Sequence, residues 1–160
     1  MESLLGAGVE KGAVHAEWGG WLAREFSWDW FATLTFAPLE GAQSPGAVGH
    51  DRVGWDLSDR RYREWIEQLA ERVPLGDVWW VRAREPHQFY ESTHFHALIG
   101  GVGKLRRWDA WSEWFGRNGQ ARIEPVASVE AAGLYVAKYV TKRRDGEVTF
   151  SGNLGLHRRV

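Results

Sequence analysis

The run Thr93-His94-Phe95-His96-Ala97-Leu98-Ile99-Gly100-Gly101 has the alternation of a strand. Successive strand side chains point to opposite faces, so His94 and His96 share one face while Phe95, Ala97 and Ile99 take the other. A sheet that buries the apolar set must hold two imidazoles side by side on its far surface. Imidazole is the commonest metal-ligating side chain. The plainer reading is two polar residues on the wet face of an antiparallel sheet.

The neighbouring segments say what kind of sheet this is. Ala13 to Phe26 reads as a modest helix weakened by Gly19-Gly20, and Trp28 to Phe36 as a β-rich strand ending before Pro38. About twenty Gly- and Pro-dense residues, Ala37 to Leu57, follow as a long loop of the kind that covers functional sites. Ser58 is placed to cap a helix reaching Val73, with Tyr62, Trp65, Ile66, Leu69 and Val73 on one apolar face. Asp77 to Glu85 is a second strand and the histidine stretch a third. Lys104 to Asn118 is a helix, Gln120 to Val126 a strand, Ser128 to Arg144 a helix, and Glu147 to Phe150 a further short strand. The order β-α-β-β-α-β, then a helix, is the split βαβ arrangement of the α+β class: a ferredoxin-like central antiparallel sheet with helices packed on it. There the first and third strands are central, so the histidine strand is held on both sides.

The 160 residues suit one domain, taken as 1–160. With no cysteine, disulfides and thiolate metal sites are excluded, and any metal must use nitrogen and oxygen donors. No signal peptide or membrane-length apolar run is evident, so the expected location is the cytoplasm, without a membrane partner. Net charge is −1, but residues 1–100 hold 9 Lys/Arg against 15 Asp/Glu, whereas residues 101–160 hold 11 against 6. That asymmetry permits a local phosphate-binding surface. Most of the eleven tryptophans, Trp65 among them, are expected to fill core volume, leaving a minority to stack on bases. There is no G-x-x-x-x-G-K-[ST] phosphate loop, so nucleoside triphosphate hydrolysis is not expected.

The helix after residue 128 carries two stripes. Val129, Ala132, Gly133, Val136 and Val140 repeat at helical spacing and face the core. Tyr135, Lys138, Tyr139 and Lys142 form a second stripe at i, i+3, i+4 and i+7, collecting two phenols and two ammonium groups. Lysine stems packed on tyrosine rings would be the ordinary surface version. The chemical version is an activated phenol: its pKa of about 10 makes it a poor nucleophile until a cation favours the phenolate.

An H-x-H strand followed by a Y-x-x-K helix resembles the HUH endonucleases, specifically rolling-circle replication initiators. The double tyrosine of "YVAKYVTK" is similar to the two-tyrosine initiators of small single-stranded DNA phages and some plasmids, and "FATLTF" matches the family's first motif. The three motifs span residues 31–142 in the order of initiators, the reverse of conjugative relaxases. The resemblance implies the HUH endonuclease fold and a divalent ion, Mn²⁺ or Mg²⁺, on His94, His96 and an acidic or amide third ligand. Glu85 is the choice for that ligand, since it ends the strand expected beside the histidines; His87 and Glu91 are fallbacks. It also implies in-line attack by Tyr135 or Tyr139 on single-stranded DNA, giving a 5′-phosphotyrosine and a free 3′-hydroxyl, with Lys138 and Lys142 contacting phosphate or stabilising the phenolate. The implied partners are origin DNA, presented as a linear strand or a hairpin, and a host helicase. His15, His50 and His157 have no spacing partner and read as surface residues. The rival readings are a transposase of the same superfamily, disfavoured by the paired tyrosines, and a non-catalytic ferredoxin-like nucleic-acid-binding module, which needs no H-x-H.

Overall fold

The structure is a computed structural model that describes residues 16–37, 55–86, 93–142 and 147–159. The strands are β1 (Trp30–Thr35), β2 (Trp79–Pro86), β3 (Thr93–Gly100), β4 (Ala121–Pro125) and β5 (Glu147–Phe150). They form one five-stranded sheet in the order β4-β1-β3-β2-β5, with every neighbouring pair antiparallel. The first four strands have the split βαβ order of a ferredoxin-like α+β fold, and β5 adds a strand beside β2. As the motif order predicted, β1 and β3 are central. Strand bounds shift by one or two residues from expectation, as ends do.

Alternation along the strands divides the sheet into two faces, and both are covered. One face presents Trp30, Ala32, Leu34, Trp80, Phe95, Ala97 and Ile99 to helices α2 (Trp55–Ala70) and α3 (Arg107–Arg117). Tyr62, Trp65, Leu69, Ala110 and Trp114 supply the helical half of that core. The other face presents Val81, Ala83 and Leu98 to α1 (residues 16–25) and α4 (Val129–Lys142), through Leu22 and Val136, with Phe26 just beyond α1. The histidine face is therefore not an open wet surface, but one on which α1 and α4 pack.

Two local expectations need correcting. Ser58 does not cap α2: the helix already includes Trp55, and Ser58 is fully buried within it. Ser58 stands one turn before Tyr62 on the buried stripe, so its small side chain continues the apolar face rather than ending it. Consequently the last residues of the expected loop are helical, while its remainder, 38–54, lies outside the described residues. The far end of α2 is Ala70, short of Val73, and a 3₁₀ turn at Pro74–Gly76 follows.

Gly19-Gly20 does not break α1, because the first glycine makes the packing possible. A Cβ on Gly133 of α4 would meet the carbonyl oxygen of Gly19 at 2.6 Å, and one on Gly19 would meet Leu134 Cδ2 at 2.7 Å. The two helices cross backbone to backbone at this pair. At the opposite border of the sheet, α3 lies along edge strand β4. Trp111 Nε1 donates to Ala121 O at 2.9 Å and Arg107 Nη1 to Ile123 O at 3.1 Å, satisfying two backbone carbonyls of the edge.

Candidate functional site

Antiparallel register places the polar side chains before any contact is considered. On β3, His94 lies opposite Thr35 of β1 and Glu85 of β2, while His96 lies opposite Thr33 and Ala83. Directly paired residues project to the same face, so Thr33, Thr35, Glu85, His94 and His96 share the side on which α4 packs. The acid chosen from strand order is thus beside the histidines.

His96 is held on both ring nitrogens. Its Nε2 is 3.2 Å from Glu85 Oε2 and its Nδ1 is 3.4 Å from Thr33 Oγ1. The network assigns a tautomer in which Nε2–H donates to the carboxylate and the threonine hydroxyl donates to Nδ1. The ring is 5% exposed, and burial pushes its pKa below the ordinary histidine value. The Glu85 carboxylate opposes that shift, while the charges of Lys138 and His94 add to it. A neutral imidazole follows at neutral pH, the form that donates a lone pair to a cation.

The tyrosine helix meets this face. Val136 and Ala137 are fully buried, which turns Tyr135 toward the sheet. Its ring lies edge-on to His96, with centroids 5.3 Å apart at 79°, and edge-on to Phe31 at 5.2 Å and 90°. Phe31 and His96 are nearly parallel, so the tyrosine rests on a shelf made by β1 and β3. Lys138 Nζ stands 3.6 Å from the centre of the Tyr135 ring, a cation–π contact one turn along α4. Tyr135 remains 38% exposed, so its environment is packed without being sealed.

Four of the expected site residues with described partners therefore converge: Glu85, His96, Tyr135 and Lys138. His94 shares their face, half-buried, at the register position facing Glu85. Tyr139 and Lys142 continue α4 as helical residues, but their side chains lie outside the described set, as do His87, Glu91, His15 and His50. The reading of His157 as a plain surface residue is corrected. Its Nε2 is 2.7 Å from Asp77 Oδ1, and its ring stacks on Trp79 at 3.9 Å, so it ties the chain's last turn to the sheet.

The donor set suits a hard-to-borderline divalent cation, having imidazole nitrogen and carboxylate oxygen without thiolate. Among the described residues, however, no three His, Asp or Glu side chains stand in a ready metal-holding group. Glu85 and His96 instead satisfy one another, and a cation would have to replace their hydrogen bond. Sequence spacing could not disclose this contact, because it joins a residue to its diagonal neighbour rather than to its direct cross-strand partner.

Comparison with protein-family models finds no match, and comparison with curated proteins finds no relative.

Proposed function

We propose that the chain is a metal-dependent single-stranded DNA endonuclease and strand transferase of HUH type, initiating rolling-circle replication. One juxtaposition supports this reading: a half-exposed tyrosine, with a lysine over its ring, lies against a histidine that shares its face with a second histidine and a glutamate. The fold class suits the reading, because the rigid centre of the sheet carries the imidazoles and a packed helix carries the phenol.

In this reading the Tyr135 phenolic oxygen attacks the scissile phosphorus in line. A bond forms between that oxygen and phosphorus, and the bond to the 3′-oxygen breaks. The phenol loses its proton and the departing 3′-oxygen gains one, leaving a 5′-phosphotyrosine and a 3′-hydroxyl. One phosphoester replaces another, so the step is readily reversed and the strand religated. Lys138, held over the Tyr135 ring, would contact the phosphate or stabilise the phenolate as it forms, and Thr33 and Glu85 fix the His96 ring. His94, His96 and Glu85 would hold Mn²⁺ or Mg²⁺, which supplies Lewis-acid polarisation of the phosphate. Tyr139, one turn beyond Tyr135, would provide the second phenol for the next strand junction, and Lys142 a further phosphate contact.

Incubation with end-labelled single-stranded oligonucleotides and Mn²⁺ tests the reading. The expected product is a denaturation-resistant adduct that is absent in EDTA and lost in the double variant Tyr135→Phe/Tyr139→Phe. Mass spectrometry of the adduct locates the modified tyrosine. DNA binding without any adduct would leave only the nucleic-acid-binding module, and cleavage surviving in His94→Ala would refute the metal assignment.

A further inference from the structure

Helix α3 carries an aromatic feature that the core uses only at its middle ring. Ala110 and Trp114 face the core and are fully buried. Trp108, Trp111 and Phe115 occupy another face at i, i+3 and i+7. Their rings form a continuous parallel stack: Trp108 and Trp111 have centroids 4.8 Å apart at 21°, and Trp111 and Phe115 are 4.8 Å apart at 12°. The middle ring is fixed by its bond to Ala121 O, whereas the outer two stand in solvent, Trp108 64% and Phe115 47% exposed. Exposed apolar surface of this size and order marks an interaction site.

Each end of the stack opens onto a cleft. Beside Trp108 is one of ≈ 430 Å³, bordered by Arg106, Arg107, Trp111 and Ile123. Beside Phe115 is one of ≈ 810 Å³, bordered by Arg61, Arg117, Gly119 and Thr35. Among the described residues, each is lined by two arginines and by no carboxylate. A helix rises 1.5 Å per residue, so positions 108 and 115 are about 10 Å apart along the axis, the length of roughly three nucleotides at 3.4 Å each.

We propose that the Trp108–Trp111–Phe115 stack is a platform for the unpaired bases of single-stranded nucleic acid, with arginines at both ends receiving phosphates. A base has a π-face to extend either end of the stack, and the backbone it brings is anionic, matching the cationic clefts. A protein partner would gain from the rings, but clefts lined by arginines, with Asp109 standing 3.9 Å from Arg106, match a polyanion better. The Phe115 end borders Thr35, whose cross-strand partner is His94. Because α3 covers the sheet face opposite the one that carries His94 and His96, a strand held on the platform would have to pass round the end of β1 to reach the candidate reaction centre. The preference for DNA over RNA rests on the function proposed above; the stacking and charge argument does not.

The test is fluorescence anisotropy of a labelled fifteen-nucleotide oligothymidylate with the full chain in EDTA, where cleavage plays no part. Trp108→Ala/Phe115→Ala removes the two exposed rings while sparing the core and the Trp111 bond, and circular dichroism verifies the fold. The expected result is affinity at least tenfold weaker. Arg106→Gln/Arg117→Gln should weaken binding and flatten its salt dependence, by about 0.7 in log–log slope per lost phosphate contact. An oligouridylate showing the same loss extends the class to RNA. Affinity for oligothymidylate unchanged in the aromatic variant overturns the platform, as does a variant that alters only the sedimentation behaviour of the protein. A chain that forms no covalent adduct, yet shows the anisotropy loss, refutes the nuclease and keeps the platform.

Discussion

Glu85 lies opposite His94 in the register of the sheet, yet its carboxylate reaches the diagonal neighbour, with Oε2 3.2 Å from His96 Nε2. The direct pair is aligned by the backbone and the diagonal pair is joined by side chains. One carboxylate thus stands within the reach of both imidazoles.

This pair sets the first expectation, which concerns pH. Burial holds the folded-state pKa of His96 below its ordinary value of about 6.5, and Glu85 only partly offsets that. As pH falls below 6.5, the unfolded chain takes up the proton first, so protonation favours unfolding. The stability associated with His96 is present above pH 6.5 and lost below it, down to the folded pKa. Urea midpoints should therefore drop more between pH 7 and pH 5 in the wild type than in His96→Asn. Glu85→Gln removes an interaction that raises the pKa, so NMR titration of the His96 ring should move still lower.

Metal uptake gives a second expectation. Mn²⁺ must take the Nε2 lone pair of an already neutral His96, whose ring proton moves to Nδ1, so binding at neutral pH should release no proton, which calorimetry in buffers of different ionisation enthalpy would verify. Metal at a hundred times its Kd should stabilise the wild-type fold by about 2.7 kcal/mol. His94→Ala and Glu85→Ala should each lose most of the corresponding rise in Tm, and EDTA should reverse it.

The helix crossing gives a third. In Gly133→Ala the new methyl group would lie 2.6 Å from Gly19 O, and backbone cannot swing aside as a side chain can. The helices must separate, at about 1–3 kcal/mol as overpacking usually costs. Because Tyr135 is two residues along, oligonucleotide cleavage should fall further than the loss of folded protein measured by circular dichroism.

On the other face, Arg82 is 3% exposed, with Nη2 bonded to Asp59 Oδ1 at 2.6 Å and the guanidinium over Phe95 and Tyr62. Asp59→Ala leaves that buried cation without its carboxylate. Complete burial of both partners would make this 3–5 kcal/mol, but the half-exposed Asp59 lowers the expectation to about 2 kcal/mol. Partial burial works to raise the pKa of Asp59, and hydrogen bonds from Arg63 and Arg82 outweigh it, leaving the value lowered. The contribution is therefore present above about pH 3.8 and lost as pH falls through the folded value. Denaturation curves of wild type and variant should converge in strong acid.

Local pattern carried much of this fold. Alternation in β1 and β3 and the 3.6-residue stripe of α4 are short-range signals, and each element formed where those signals lay. They also put His94 and His96 on one face and the strand that ends in Glu85 beside them, while the observed register is what brings Glu85 onto that face. What escaped was decided by packing between distant segments. Gly19 reads as a helix weakener until Gly133 is seen against it, Ser58 reads as a cap until its stripe is buried, and His157 reads as surface until Trp79 lies beneath it. The α3 stack was written in the spacing of Trp108, Trp111 and Phe115, but burial of so many other tryptophans hid which rings would stay outside.

The bonds from Trp111 and Arg107 to the outer strand have a consequence for assembly. The unused hydrogen-bonding groups of a border strand ordinarily invite another chain to continue the sheet. Here two of the acceptors such a newcomer would need, the carbonyls of Ala121 and Ile123, are already engaged by the chain's own helix. Self-association through that border would have to peel α3 away first, which protects the molecule from runaway strand-by-strand polymerisation on the β4 side.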